Sequence, residues 1–358
     1  MNNLQKQIED IEKEIRETPY HKGTEHHIGI LRARLSRIKD KILDSETRSK
    51  GGGGGGGYSV KHQGDATVVL VGPPSVGKST LLNALTNAQS KVAPYEFTTV
   101  SVIPGMMDYK NAKIQILDVP GLIEGAEIGK GRGREVLSVI RGCDLLVLIS
   151  EIGKTVAVER IKAVLEKNGI RIDKSPPDIT IVKKLQGGVD VHSNIAQTLK
   201  RETIKDIIIE TGIKNAEVSI KENITMERLL DSLSKNRVYI PSISVINKAD
   251  LKKGKLKNND YLYISAEKGD HLDRLREAIW KKLNFITVYL IKSNEDPDFS
   301  NPLIVTNNTD LNKIMMSLGT NFSENKTFAR IWGNGSKFPG QEVSLSSQAV
   351  DGMQVRFI

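Results

Sequence analysis

The sequence predicts an α/β fold in which helices cover a mostly parallel sheet. Short apolar runs recur at ATVVLVG, KIQILDVPG, DLLVLIS and YIPSISVINKAD, with helical patterns between them. This alternation is typical of parallel sheets. A phosphate-loop motif, GPPSVGKS, directly follows the first run and leads into a helical pattern, which is where such a loop must lie in an α/β nucleotide-binding core.

The composition is that of a soluble protein with more than one domain. The chain has 358 residues, of which 38% are hydrophobic and 27% charged. No apolar run approaches the ~20 residues that a membrane-spanning helix needs. The N-terminus alternates charges and has no apolar signal core, so we expect a cytoplasmic protein without membrane contact. The single cysteine, Cys143, excludes an internal disulfide and precedes an apolar run, so we expect it to be buried.

The net charge of +9 is unevenly distributed, with −1 over residues 285–358 and +10 over the first 284 residues. A basic excess of this kind suits a phosphate-rich partner such as RNA. It is equally compatible with a solvated surface.

The N-terminal region predicts a helical hairpin over residues 1–50. Apolar residues recur at helical spacing on both sides of Pro19 and Gly23, which break the chain. The second helix carries several arginines and lysines, which form either a solvated face or a strip that contacts phosphates. A run of seven glycines follows, so residues 51–63 are interpreted as a flexible hinge.

The nucleotide-binding core is predicted in two parts, residues 64–167 and 237–284. Its motifs at Gly121 and Asn247 are 126 positions apart, whereas two helix–strand units need about 60. The excess predicts an α+β insert over residues 168–236. Residues 285–358 then predict a compact sheet with one helix.

The stretch from Gly72 to Ser79 matches the phosphate-loop pattern G-x-x-x-x-G-K-[ST] in full. Backbone N–H groups of such a loop surround phosphates at a helix N-terminus, whose partial positive charge favours anions. Lys78 is expected to reach the β- and γ-phosphates, and the Ser79 hydroxyl to ligate Mg²⁺. Asp118, at the end of an apolar run, is placed to hold that ion through water. The predicted phosphate-site residues are Gly72, Ser75, Val76, Gly77, Lys78, Ser79 and Thr80.

A phosphate loop does not select a base, so at this point ATP and GTP both remain open. The quartet Asn247-Lys248-Ala249-Asp250 follows a predicted strand and suits guanine. A carboxylate accepts from both the ring N–H and the exocyclic amine of guanine, whereas adenine would leave it unpaired. Ser265-Ala266-Glu267 ends a further strand, where its backbone is expected to contact the guanine oxygen. Together with the phosphate loop, these two motifs predict GTP.

These motifs resemble those of the Obg group of GTPases, and within it the branch of developmentally regulated GTP-binding proteins. The resemblance covers nearly the whole chain. The residues that carry it are the glycine run before Tyr58, the phosphate loop and the residues after it, Phe97-Thr98-Thr99, the stretch DVPGLIEGAEIGKGRGRE and Asn236-Arg237-Val238-Tyr239-Ile240-Pro241. It implies a P-loop GTPase core, an N-terminal helical hairpin, an insert similar to domain two of a small-subunit ribosomal protein, and a C-terminal TGS module with a β-grasp fold.

The resemblance also implies how the switch residues act. In D-x-x-G, which ends at Gly121, the glycine N–H is expected to sense the γ-phosphate, and Thr99 is the expected switch ligand of Mg²⁺, with Thr98 as the alternative. Leu122 stands where many GTPases have a water-orienting glutamine, so we expect slow hydrolysis. Related GTPases hold a monovalent cation, potassium, near the phosphates with an asparagine. Here Ser75, a weaker ligand, takes that position.

Other residues have two interpretations. Arg132 and Arg134 either begin a solvated helix or meet a partner, and the histidines show no metal-ligand spacing. Trp280 and Trp332 are expected in the core rather than as stacking surfaces. For function, the first hypothesis is a GTPase switch that acts on ribosomes or translation through RNA or ribosomal-protein contacts. The alternative is a GTP-dependent scaffold that recruits a regulatory protein and uses hydrolysis as a timer.

Overall fold

The computed structural model describes residues 2–49, 64–86, 93–94, 101–119, 132–251, 260–291, 299, 302–324 and 326–358. The chain forms two compact units. One comprises Met1–Gly56 with Gly169–Tyr239, and the other Gly57–Asn168 with Ile240–Ile358. Within the described part, no helix combines the length and the apolar character that a membrane crossing requires.

The helices of the described residues are, in chain order, α1 (Asn2–Glu17), α2 (Glu25–Ser49), α3 (Lys78–Leu85), α4 (Arg132–Arg141), α5 (Val156–Lys167), α6 (Arg201–Glu210), α7 (Met226–Leu233), α8 (Leu272–Lys282), α9 (Leu311–Ser317) and α10 (Thr320–Ser323). A 3₁₀ turn covers Ala249–Leu251.

The strands are, in chain order, β1 (Ala66–Val71), β2 (Ala93–Pro94), β3 (Ser101–Tyr109), β4 (Ala112–Asp118), β5 (Leu145–Glu151), β6 (Ile170–Ile172), β7 (Ile179–Lys183), β8 (Val189–Ser193), β9 (Ala216–Ile220), β10 (Val238–Ile240), β11 (Ser242–Asn247), β12 (Leu262–Tyr263), β13 (Phe285–Leu290), β14 (Leu303–Thr306), β15 (Phe328–Gly333), β16 (Gln341–Ser344) and β17 (Met353–Phe357).

The first unit combines the predicted hairpin with the predicted insert. Helices α1 and α2 bury a shared apolar seam that includes Ile11, Leu31 and Ile38. On its other side, α2 contributes Ile28 to the core of the insert. That core lies between α6, α7 and a three-stranded sheet of order β7-β9-β8, in which β8 runs parallel and β7 antiparallel to β9.

Arg34 and Arg37 of α2 are exposed, in agreement with the solvated-face interpretation, and they also bond to the insert. Arg34 Nε donates to Glu210 Oε1 at 3.1 Å, and an Arg37 N–H donates to the Glu210 carbonyl at 3.3 Å. Arg32 lies 3.7 Å from Glu227. These side chains therefore remain at the surface while their bonds hold the helix to its own unit, and contact of this strip with phosphates stays a prediction.

The second unit contains a seven-stranded sheet of order β12-β11-β5-β1-β4-β3-β2. From β12 to β4 neighbouring strands are parallel, and β3 and β2 continue the sheet antiparallel. Strand β1 is buried at every position, as expected for a central strand covered on both faces. The mostly parallel α/β sheet predicted from the sequence is confirmed. Cys143 is buried next to β5, and burial raises the pKa of its thiol.

The same unit ends in a five-stranded sheet of order β14-β13-β17-β15-β16. Strands β13 and β17 are parallel and the other pairs antiparallel. Helix α9 packs Leu311 and Ile314 into the core of this sheet. Trp280 of α8 is buried and meets Phe285 of β13 edge-on, with ring centroids 5.5 Å apart. The C-terminal sheet is thus packed next to the last helix of the seven-stranded sheet.

Candidate nucleotide-binding site

The phosphate loop, Asp118 and the N-K-x-D quartet meet at one edge of the seven-stranded sheet. Leu70 of β1 is in register with Asp118 of β4, and Asn247 of β11 is in register with Glu151 of β5. Because these strands are parallel, their carboxyl ends lie at the same edge, where α/β proteins bind ligands. The topology therefore brings together motifs that lie up to 175 positions apart in the chain.

The phosphate loop depends on two glycines. Gly77, immediately before α3, has a φ of 92°, and a Cβ there would lie 2.4 Å from Asn247 Nδ2. A Cβ on Gly72 would lie 2.4 Å from the Ile149 carbonyl oxygen. Neither position has room for a side chain. Glycine at both positions therefore allows the close approach and the tight turn that a phosphate loop needs to present its backbone N–H groups.

The lysine of the loop lies against the loop itself. Lys78 Nζ donates to the carbonyl oxygens of Gly72 and Pro73, each at 3.0 Å. Its charge is therefore held over the turn that precedes α3, beside the helix N-terminus. Thr80 is exposed on the first turn of α3, and Val76 is buried. This arrangement concentrates positive potential at the loop and is suited to binding phosphates.

Two of the three residues predicted for magnesium, Ser79 and Asp118, are in direct contact. Ser79 Oγ donates to Asp118 Oδ2 at 2.5 Å. The Asp118 side chain is buried, and its Oδ1 makes no hydrogen bond with any residue that the structure describes. A buried carboxylate oxygen without a partner is costly unless a ligand satisfies it. The hydroxyl and carboxylate oxygens fit a hard cation such as Mg²⁺.

Asn247 joins the base motif to the phosphate loop. Its Nδ2 donates to the Val76 carbonyl at 2.9 Å, and its Oδ1 accepts from the Ala266 N–H at 2.9 Å. The side chain is only 2% exposed, so both bonds lie away from water. Asn247 thereby connects the phosphate loop, the N-K-x-D quartet and the S-A-E motif through a single side chain.

Lys248 bridges the base motif to the phosphate loop and also meets an acid that sequence reasoning missed. Its Nζ donates to the Ser75 carbonyl at 2.9 Å and lies 3.1 Å from Glu151 Oε2. Hydrogen bonds from Lys154 and Lys248 hold the pKa of Glu151 below its usual value. The sequence signal for this acid was its position at the end of the apolar run DLLVLIS.

Asp250 lies in the 3₁₀ turn, with its side chain 12% exposed. A hydrogen bond from Ser265 and the nearby Lys268 ammonium keep the pKa of this carboxyl below its usual value. Lys268 Nζ is 3.3 Å from Asp250 Oδ2. Ser265 and Ala266 are buried and Glu267 is exposed. Lys268 was also missed from the sequence, although it directly follows the S-A-E motif.

The switch residues lie outside the described part of the chain. This holds for Gly121 and Leu122 and for both candidate threonines, Thr98 and Thr99. Their roles stay predictions. Helix α4 begins at Arg132, within the glycine–arginine stretch that follows the switch.

Comparison with known proteins agrees with this geometry. Residues 67–184 match a family model described as 50S ribosome-binding GTPase, and residues 186–285 match one described as the C-terminal region of the MMR_HSR1 domain. An uncharacterized GTP-binding protein of Methanocaldococcus jannaschii is 45% identical, over 98% of this chain and 91% of that protein.

Two eukaryotic relatives are similar along almost their whole length. Developmentally-regulated GTP-binding protein 1 of Xenopus laevis is 38% identical, over 96% of this chain and 95% of that protein. Developmentally-regulated G-protein 3 of Arabidopsis thaliana is 37% identical, over 98% and 97% respectively. A GTPase-domain match and GTP-binding relatives of this extent make the chain a GTP-binding protein and a GTPase. The chain belongs to the family of developmentally regulated GTP-binding proteins, as its motifs predicted.

Proposed function

We propose that this GTPase is a slow, magnesium-dependent molecular switch that acts on the ribosome. The observation that carries this proposal is the pair of bonds made by Asn247, which link guanine-type and phosphate-type motifs into one site. A single nucleotide can then bridge both motifs.

In this proposal Mg²⁺ is held by the Ser79 hydroxyl, by Asp118 through water, and by Thr99. Support comes from the contact between Ser79 and Asp118 and from the buried Oδ1 of Asp118. When bound by these residues, Mg²⁺ would supply the positive charge that stabilises the β- and γ-phosphates. Lys78 contributes a further positive charge to the same oxygens, and the N–H of Gly121 senses the γ-phosphate.

Guanine is recognised by Asp250, whose carboxylate accepts from the ring N–H and the exocyclic amine. The backbone of Ser265, Ala266 and Glu267 contacts the guanine oxygen. The lowered pKa of Asp250 supports this role, because an ionised carboxylate offers only acceptors.

Hydrolysis is slow because Leu122 cannot orient water by a hydrogen bond. Stabilisation of the transition-state charge then comes from outside the switch side chain. We propose a potassium ion near Ser75 as one source, since a cation there acts as an arginine finger does. A group supplied by a bound partner is the other source.

The ribosome is the proposed partner for two reasons. The matching family model is described as a ribosome-binding GTPase. The first 284 residues have a net charge of +10, which favours a phosphate-rich surface. The insert over residues 168–236 and the module over residues 285–358 are proposed to be the ribosomal-protein-like and TGS-like domains that make these contacts, in the cytoplasm.

Cosedimentation with ribosomes tests this proposal. We expect the full chain to pellet with ribosomes in the presence of a non-hydrolysable GTP analogue and to stay in the supernatant with GDP. The Asp250→Asn variant is a matched control, because it should pellet with the xanthosine analogue instead of the guanosine analogue. Equal pelleting with both nucleotides, or none, would contradict a ribosomal switch. If a protein partner binds in a GTP-dependent manner without ribosomes, the scaffold hypothesis replaces it.

A further inference from the structure

The turn that follows β5 is closed on itself and carries two charged side chains. Ser150 Oγ donates to the Lys154 carbonyl at 2.6 Å, and the Lys154 N–H donates to the Glu151 carbonyl at 3.0 Å. Gly153 has a φ of 82°, which allows the chain to turn back. The turn places the Lys154 ammonium on Glu151 Oε1. The Glu151 carboxylate is thereby held at the edge of the sheet where the motifs meet.

The other oxygen of this carboxylate faces the base motif. Glu151 is in register with Asn247, and the next residue, Lys248, has a left-handed φ of 59°. This conformation accompanies a lysine side chain that crosses to β5, where Nζ lies 3.1 Å from Glu151 Oε2. The same Nζ reaches the Ser75 carbonyl of the phosphate loop at 2.9 Å. The acid, the lysine and the loop therefore form one connected chain of bonds.

We propose that Glu151 is a positioning residue that fixes Lys248 across the phosphate loop and thereby sets how long guanine nucleotides stay bound. The proposal rests on the nucleotide site described above and adds a residue that none of its motifs contains. Glu151 is not required to touch the nucleotide; it acts through Lys248.

The physical reason lies in the lysine side chain. Lysine has a flexible four-carbon side chain, and one carbonyl acceptor restricts it less than a carbonyl and a carboxylate together. The Glu151 carboxylate adds a second bond, in which both the donor and the acceptor are charged. The side chains of Lys248 and Glu151 are 39% and 24% exposed, so water screens this pair in part. Without the carboxylate, Lys248 samples other rotamers and the base and phosphate ends of the site separate more easily.

The first experiment compares Glu151→Gln with Glu159→Gln in the full chain. Glu159 is a matched control, because it lies 3.3 Å from Lys162 on the next helix and its side chain is 63% exposed. Dissociation of a fluorescent GDP is followed after addition of excess GDP. We expect Glu151→Gln to accelerate dissociation about tenfold, as loss of one charge-assisted bond would. The control should be unchanged.

Two further readouts separate positioning from general destabilisation. Single-turnover hydrolysis of saturating GTP should change by less than about twofold, since the phosphate contacts of Lys78 remain. In a Lys248→Met background, Glu151→Gln should no longer accelerate dissociation, because the partner through which it acts is gone. Glu151→Asp keeps the charge but shortens the reach, and it should dissociate GDP at an intermediate rate. This variant decides the question if Glu151→Gln does not fold.

An acceleration by Glu151→Gln that persists in the Lys248→Met background would overturn the proposal, as would rates equal to those of the control. These outcomes differ from failure of the proposed function. A protein that binds no guanine nucleotide would fail before any variant is compared. A protein that never pellets with ribosomes would leave the dissociation result standing.

Discussion

At the base end of the proposed nucleotide site, the functional side chains are bonded to other protein groups, whereas at the phosphate end one buried acceptor has no partner among the described residues. Asn247 donates to Val76 and accepts from Ala266, and Asp250 lies beside Lys268. At the other end, Asp118 Oδ1 is buried and has no hydrogen bond within the described residues. Lys78 is held there by two loop carbonyls.

This difference fits what each end is proposed to bind. A base is neutral and planar, and a preformed frame discriminates it by fixed hydrogen bonds. Phosphates and their metal bring large charges, which can replace the interactions of Lys78 and satisfy Asp118. Changes at the phosphate end should therefore abolish binding, whereas changes at the base end should alter selectivity.

The largest effect is expected at the phosphate end. Lys78→Ala should weaken Mg²⁺·GTP binding at least about 100-fold. The variant loses the proposed contacts of the ammonium with the β- and γ-phosphates, and such charge-assisted contacts contribute ~1.5–3 kcal/mol each. Ser79→Asn should likewise prevent productive Mg²⁺·GTP binding. Isothermal titration calorimetry with GTP and Mg²⁺ measures both, and circular dichroism checks that the fold is retained. Unchanged affinity and turnover in both variants would show that the phosphate loop is misassigned.

The base end should respond by changing its preference. Asp250→Asn should weaken GTP binding by about 100-fold, because a charged acceptor is replaced by a donor facing a donor. The same variant should bind xanthosine triphosphate better, because that base presents an acceptor at this position. Competition against a fluorescent nucleotide measures both affinities. If ATP displaces GTP from the unmutated protein at similar concentration, the guanine assignment is wrong.

The rate of GTP hydrolysis tests what stabilises the transition-state charge at the phosphate end besides the switch side chain. We expect intrinsic turnover below ~1 s⁻¹. Potassium should accelerate single-turnover hydrolysis over sodium by about fivefold, roughly 1 kcal/mol at the barrier. The two salts are compared at equal ionic strength. Equal rates would exclude potassium as the source of transition-state stabilisation and would leave a group supplied by a bound partner as the remaining source. Fast turnover in Leu122→Gln alone would show that catalysis depends on the switch side chain after all.

The smallest effect should come from a site remote from both ends. Glu277 Oε2 accepts from the Tyr109 hydroxyl and from Lys110 Nζ, each at 2.8 Å. These bonds, Lys110 first, lower the pKa of Glu277 from 4.5 to about 2. Because its folded pKa is depressed, Glu277 stabilises the protein above pH 4.5, and this contribution is lost as the pH falls towards 2.

Glu277→Gln should therefore lower the melting temperature by roughly 2 °C at neutral pH. The difference from the unmutated protein should shrink as the pH falls from 4.5 towards 2, the lowered pKa. Nucleotide affinity and selectivity should stay unchanged. This result would show that a loss of stability alone does not alter binding at either end of the site. A melting difference that is constant with pH would contradict the role of the Glu277 charge.

The sequence by itself was sufficient for the fold class, the family and the GTPase activity. Each rests on short contiguous signals, such as the eight residues from Gly72 to Ser79 or the quartet from Asn247 to Asp250. Within such a stretch, backbone conformation and side-chain chemistry are determined locally. The alternation of apolar runs with helical patterns likewise encodes which segments must be buried.

Only the tertiary structure decided which distant side chains meet. The contact between Glu151 and Lys248 spans 97 positions, and the one between Lys248 and Ser75 spans 173. The arginines of α2 also bond to the insert, whereas the sequence predicted only a solvated face or a strip that contacts phosphates. Periodicity specifies the buried face of an element but not its neighbour, and polar pairing depends on that neighbour. The pairs that join the two ends of the site therefore follow from how strands β1, β5 and β11 lie side by side.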